Sequence, residues 1–235
     1  MEDAEVKPDS ISTGHIDGRD KLSLSNLVEE ARIFCEDESA VDHPQLFGVT
    51  DGKAVGTYVE HKFKKLLESR YSLTLGNSAS GIDLPGKEIN TDIKVTSIHQ
   101  PQSSCPYKDS KQKIFGLGYN LLVFVYDKQD IGEKCWLRFT HCTFIAKEKT
   151  SDYTLTRLIN EHKKIGANTD DIMGLLLDKG LPGDEITLHE IAEQIIQCDV
   201  EQGYLTISNA LQWRLQYKRV IELDNKVAGI ENHVW

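Results

Sequence analysis

The chain has 235 residues, 39% of them hydrophobic, enough to bury a sizeable core as one large domain or as a main domain with an appendage. It contains no run of about 18 apolar residues, and it opens MEDAEVKPDS, acidic where a secretory leader is basic and then apolar, so it reads as soluble and intracellular. The net charge of −10 argues against a polyanionic partner, but residues 1–50 hold 12 acidic against 4 basic side chains while residues 51–127 hold 10 basic against 8 acidic; phosphate binding depends on where the cations sit.

Residues 1–21 are polar, with Pro8, Gly14 and Gly18, and are expected to be loose. Ser23 or Ser25 can cap a helix through LVEEARIFCEDES, and His43-Pro44 with Gly48 and Gly52 marks a connection. Val55, Val59, Phe63, Leu66 and Leu67 then recur at intervals of three and four, predicting a helix from Gly56 to near Tyr71. YSLTL, GIDL and EINTDIKVTS follow as predicted strands, the last two joined by a turn at Pro85-Gly86-Lys87. Period two in the third strand sets Thr91, Ile93 and Val95 on one face and Asp92, Lys94 and Thr96 on the other. Tyr107 to Leu117 reads as a helix rich in Lys and Gln, LLVFVYD as a buried strand and CWLRFTHCTFIA as further strand. Together these elements predict a mixed α/β layer.

Beyond it, helices are predicted over residues 153–165 and Asp170–Leu177, and Thr187-Leu188-His189-Glu190 has the form of a capping box opening HEIAEQIIQC. SNALQWRLQYK reads as another helix and RVIELDNKVAGIE as a hairpin about Asp224-Asn225. That order resembles a winged helix-turn-helix, whose last helix would bring Arg214 and Lys218 to DNA; an all-α packing subdomain is the alternative. The chain thus divides into an acidic, helical segment (1–50), a central part (51–150) and a mainly helical part (151–235). Its five cysteines are odd in number and include no C-x-x-C pair, so neither a disulfide framework nor a zinc ribbon is suggested; Cys135, His141 and Cys142 could supply three zinc ligands, but no fourth is evident.

The stretch GIDLPGKEINTDIK sets Asp83, Asp92 and Lys94 among apolar and turn residues. Two carboxylates on neighbouring strands repel unless a cation lies between them, and hard oxygen donors suit Mg²⁺. A lysine two residues past one carboxylate stands where it can position water or steady a phosphate oxygen, which phosphodiester hydrolysis requires. On spacing alone, an ordinary cross-strand ion pair accounts for Asp and Lys equally well.

The succession of helix, three strands, helix and strand, with Gly81-Ile82-Asp83-Leu84-Pro85 on the second strand and Asn90-Thr91-Asp92-Ile93-Lys94-Val95-Thr96 on the third, resembles the PD-(D/E)XK nuclease superfamily over about residues 55–127. The resemblance implies a restriction-endonuclease-like α/β fold with a mixed central sheet flanked by helices. It also implies that Asp83 and Asp92 are metal ligands, that Ile93 lends its carbonyl and that Lys94 serves the water. Ile82 stands where the motif has Pro, and Asp92 where Glu is frequent. Relatives carry a further glutamate on the first helix near the metals, which implies a catalytic and metal-binding role for Glu60, with an ordinary ion pair to Lys64 as the alternative. Glu88 is a substitute for Asp92 on the same strand face.

The following segment fits DNA contact: His99, Gln100, Gln102, Ser103, Ser104 and Tyr107 offer groups for base edges or phosphates, and Lys108, Lys111 and Lys113 offer charge. Gln112 is placed to assist the active site. The size of the chain, the lack of a P-loop and the succession GTYVEHKF…GIDLP…DIKVTS…FGLGYNLLVFVYD are similar to type II restriction endonucleases. That likeness implies a Mg²⁺-dependent enzyme of the prokaryotic cytoplasm that cuts double-stranded DNA at a specific sequence and leaves 5′-phosphates. It further implies a homodimer paired functionally with a DNA methyltransferase. A repair or recombination nuclease of the same superfamily, and a non-enzymatic DNA-binding regulator using the C-terminal region, are the alternatives.

Overall fold

The computed structural model describes residues 19–76, 81–106, 108–208 and 212–235. Helix α1 (Leu24–Ser39) starts at the first of the two candidate caps, Ser23, whose Oγ accepts the Asn26 amide at 3.2 Å. Helix α2 (Gly52–Arg70) begins before the predicted Gly56, because Asp51 accepts the Lys53 amide at 3.0 Å and caps the chain there. Buried Glu30 joins the two helices: Arg70 pairs with it and the Tyr71 hydroxyl donates to it at 2.9 Å, so its charge does not lie unpartnered.

The strands are β1 (Thr91–Ser97), β2 (Gln102–Pro106), β3 (Asn120–Ile131), β4 (Lys134–Ile145), β5 (Thr206–Ile207), β6 (Gln212–Gln216) and β7 (Ile230–Val234). The main sheet has the order β1-β3-β4-β7, with β1 parallel to β3 and the other neighbours antiparallel. A second sheet has the order β2-β6-β5. Strand β3 explains its own unbroken apolar run. Leu122, Phe124 and Tyr126 meet Phe34 of α1 and Phe63 of α2, while Leu121, Val123 and Val125 meet Trp213, Leu215 and Tyr217 at the second sheet. The Phe63 and Phe124 rings cross edge to face at 5.0 Å. Gly132, with φ +64°, makes the tight turn between β3 and β4.

Between the sheets in sequence lie α3 (Gln112–Phe115), α4 (Tyr153–Lys164), α5 (Thr169–Asp178), α6 (Glu185–Gln197) and α7 (Lys218–Ile221). α4, α5 and α6 enclose an apolar cluster of their own, to which Ile114 of α3 adds. Buried Asp152 caps α4 by accepting the Leu155 amide at 2.9 Å, and its other oxygen accepts the Ile207 amide at 2.8 Å, tying this helical layer to β5. Among the described residues no helix is long and apolar enough to cross a membrane.

Several predicted elements differ. Among the described residues the three-stranded meander is absent: YSLTL contributes one bridge, Ser72 to Lys21, and GIDL one bridge, Leu84 to Thr91. Residues 86–90 turn too tightly for a longer pairing, since the Ile89 and Asn90 amides both reach the Gly86 carbonyl and Asn90 has φ 35°. The helix expected over Tyr107–Leu117 shrinks to α3, preceded by strand β2. Glu185–Gln197 is capped by Asp184, which accepts the Thr187 amide at 2.8 Å, so Thr187 lies inside the helix rather than opening it. The helix expected over Ser208–Lys218 is strand β6 where it is described, with Trp213, Leu215 and Tyr217 alternating inward. A recognition helix of winged type is therefore not formed by those residues. Cys135 and Cys142 both point into the core against α1 and α2, and among the described residues no zinc set forms with His141.

Candidate active site

Strand β1 lies at the edge of the main sheet. Asp92 and Lys94 sit level with Leu121 and Val123 of β3, so they project from the face turned toward the second sheet. Lys94 Nζ lies 2.6 Å from Asp92 Oδ2. On the open edge of β1 the Ile93 amide donates to Asp83 Oδ2 at 2.8 Å, and the carbonyl of Ile93 faces the same side, as the two groups of one residue do in a strand. Asp83 therefore reaches the site from a loop pinned by the Leu84–Thr91 bridge, without the strand predicted for it. Lys64 of α2 closes the group: its ammonium donates to Asp83 Oδ1 at 2.5 Å and to Glu60 Oε1 at 2.6 Å.

These side chains line one cavity of about 480 Å³, with Lys108 at its exposed rim and Tyr119 on its wall. A second hollow of about 590 Å³ shares Glu60, Ile93 and Lys94 with the first and is lined further by Lys53, Gln102 and Ser104. Glu60, Ile93 and Lys94 are thus the wall common to both.

The electrostatics are those of crowded acids. Burial, together with the neighbouring Asp83 carboxyl, raises Asp92 from the ordinary 3.8 to about 7 despite Lys94. For Asp83, burial is outweighed by hydrogen bonds with Asp92, Lys64 and the Ile93 amide, which hold it below the ordinary value. Two carboxyls that share a proton in this way would both ionise if a divalent cation took its place. The donors are hard oxygens: two carboxylates and one main-chain carbonyl. Among the described residues no three His, Cys, Asp or Glu side chains converge as a metal-ligand group. So sparse a set fits Mg²⁺, which keeps several of its waters and commonly takes only one or two carboxylates.

The other candidate residues scatter. Glu88 is exposed, 3.4 Å from Lys21, and turns away from Asp92. His99 and Gln100 are exposed beyond the end of β1, His99 within 3.3 Å of Asp127. Gln102 and Ser104 lie on β2, where Ser104 Oγ accepts from Arg214 of β6 at 2.6 Å. Ser103 points the other way, its hydroxyl 2.5 Å from that of Tyr217. Lys113 is buried, and burial lowers its pKa; Gln112 donates to the Leu117 carbonyl at 3.1 Å; neither faces the cavity. Lys111 stands at the N-cap position of α3 without a capping bond from its side chain, Lys218 is exposed on α7, and Tyr107 lies outside the described residues. In the sequence, the i,i+4 spacing marks Lys64 only as a partner for Glu60; its contact with Asp83 depends on how α2 packs on β1.

Comparison with known proteins bears on the whole chain. The family model for the type II restriction enzyme NspV matches residues 21–232. A protein of Nostoc sp. described as type II restriction enzyme NspV is 50% identical over 211 residues, 89% of this chain and 95% of that protein. The crystal structure of the tetrameric restriction endonuclease SfiI bound to cognate DNA aligns over 92% of this chain and 88% of that one, at 10% identity and a TM-score of 0.37. Matched over almost its full length by both the family and the Nostoc protein, the chain belongs to the NspV family of type II restriction enzymes, and is a site-specific deoxyribonuclease.

Proposed function

We propose that this enzyme hydrolyses phosphodiester bonds of double-stranded DNA with Mg²⁺ held by Asp83, Asp92 and the Ile93 carbonyl, in the manner of the PD-(D/E)XK nucleases. The observation that carries the reading is the meeting of Asp83, Asp92 and Lys94 in one cavity although they come from a loop and a strand edge. When bound, the ion supplies Lewis acidity to a phosphate oxygen. The chain's own groups do the rest. Asp83 and Asp92 hold negative charge at a fixed point, and the Ile93 amide orients Asp83. Lys94 sets a positive charge beside Asp92, where it orients the attacking water and offsets charge growing on the phosphate. Water attacks phosphorus in line, the bond to the 3′ oxygen breaks, and 5′-phosphate and 3′-hydroxyl ends result.

The exposed face of β2 and β6, with Gln102, Ser104 and Arg214, lies next to the hollow shared with Lys94 and offers donors and acceptors for base edges. Lys108, Lys111 and Lys218, together with His99 and Gln100, supply phosphate contacts in this reading. A homodimer cutting one strand per protomer of a palindromic duplex, and a methyltransferase that protects host DNA, complete it. Incubating the protein and Mg²⁺ with unmethylated plasmid should give discrete fragments whose mapped ends carry 5′-phosphates. Asp92→Ala and Lys94→Ala should each lower cleavage about 10²-fold or more. Cutting that follows branches or ends rather than sequence, or full activity in both variants, would refute the proposal.

A further inference from the structure

Lys64, a partly buried cation in the cavity wall, has no task in the proposed mechanism. Lys64 is 13% exposed, and its ammonium is shared between Glu60 and Asp83 at 2.6 and 2.5 Å. Each oxygen of Asp83 already accepts one bond, Oδ1 from Lys64 and Oδ2 from the Ile93 amide, and keeps a lone pair for an ion on the Asp92 side. Glu60 is engaged by the same ammonium, so the carboxylate that borders both hollows faces a positive charge already in place.

We infer that Lys64 stands in for a second divalent ion: its ammonium occupies the position between Glu60 and Asp83, and each protomer binds one ion, on the Asp92 side of Asp83. The inference rests on the reading of Asp83 and Asp92 as metal ligands. The distances give the first reason. An ammonium hydrogen-bonded to both carboxylates sits where a small divalent ion bridging them would have to be, and like charges cannot share that point. The charge balance gives the second. Glu60, Asp83 and Asp92 against Lys64 and Lys94 leave one net negative charge in the inner site. One divalent ion and one phosphodiester bring that to neutrality, whereas a second ion would leave two uncompensated positive charges where Lys64 and Asp83 are only 13% and 18% exposed, a costly state. Lys64 thus supplies, as a fixed part of helix α2, the charge that a second ion would otherwise bring.

Counting bound Mn²⁺ by the paramagnetic resonance of the free ion tests this on the whole protein without DNA. The wild-type chain should bind one Mn²⁺ per protomer, Lys64→Gln two, and Lys64→Arg one, because arginine restores the positive charge. Two ions in the wild type, or one in a folded Lys64→Gln protein, overturns the inference and leaves the parent reading intact. If the wild type and Asp92→Ala bind Mn²⁺ alike, or neither binds any, the assignment of Asp83 and Asp92 as ligands fails, and this inference with it. Two ions in the wild type overturn the inference even if the glutamine variant does not fold.

Discussion

Replacing Asp92 by Asn should make the metal-free protein more stable while removing its activity. Folding raises the Asp92 pKa from 3.8 to about 7, chiefly by burial, with the side chain 7% exposed. An acid raised in this way binds more protons folded than unfolded between those values, so its contribution falls as pH rises through that window and is most unfavourable above about pH 7. Three units correspond to about 4 kcal/mol as an upper limit. Asp83 is shifted the opposite way, partly by the same hydrogen bond, and its contribution is present above its ordinary pKa and lost in acid, which offsets part of the penalty. A net gain of about 2 kcal/mol for Asp92→Asn at pH 8 is reasonable, because the amide does not ionise and its oxygen still accepts from Lys94. For a chain of this size that is a melting temperature about 4–8 °C higher. Thermal unfolding of both proteins in chelator at pH 5 and pH 8 measures it. The gap should be largest at pH 8 and shrink at pH 5, and millimolar Mg²⁺ should raise the wild-type midpoint but not the variant's. A variant that melts below wild type at pH 8, or a gap equal at both pH values, would show that burying the Asp92 carboxyl beside Asp83 does not carry this penalty.

Other tests probe the scaffold and the proposed DNA face. A methyl group on Gly203 would lie 2.2 Å from the Ser151 carbonyl oxygen, a backbone atom, so Gly203→Ala should cost about 3 kcal/mol and lower the urea midpoint accordingly. Four of the five cysteines are buried and Cys198 is partly exposed. A thiol reagent should therefore modify one cysteine quickly in the folded protein and the other four only on unfolding, with Cys35, whose pKa burial pushes well up, among the slow ones. Arg214→Lys keeps the charge on β6 but loses the planar donor fork. It should reduce cleavage of the cognate site roughly 10- to 100-fold while leaving binding to unrelated DNA nearly unchanged, as gel-shift titration would report.

Local rules read from residues succeeded where a segment's structure depends on its own side chains. The α1 cap at Ser23, the apolar face of α2 and the doubly buried β3 follow from capping, three-and-four spacing and an unbroken apolar run. They failed where burial overrode them. QWRLQ alternates Trp213 and Leu215 inward, a strand pattern inside a stretch whose polar residues also fit a helix, and only contact with β2 and β3 selects the strand. GIDL has the composition of a strand, yet the tight turn over residues 86–90 leaves it a single bridge.

At the candidate site the division is similar. That Asp92 and Lys94 share one face was settled by the sequence, because two residues apart on a strand must point the same way. The side on which Asp83 would arrive, and the presence of Lys64 between it and Glu60, were decided only by the packing of α2 beside the edge of β1. Alternation within a strand is a property of the backbone, whereas the meeting of a loop, a strand edge and a helix depends on which apolar faces bury one another. No spacing along the chain encodes that distance.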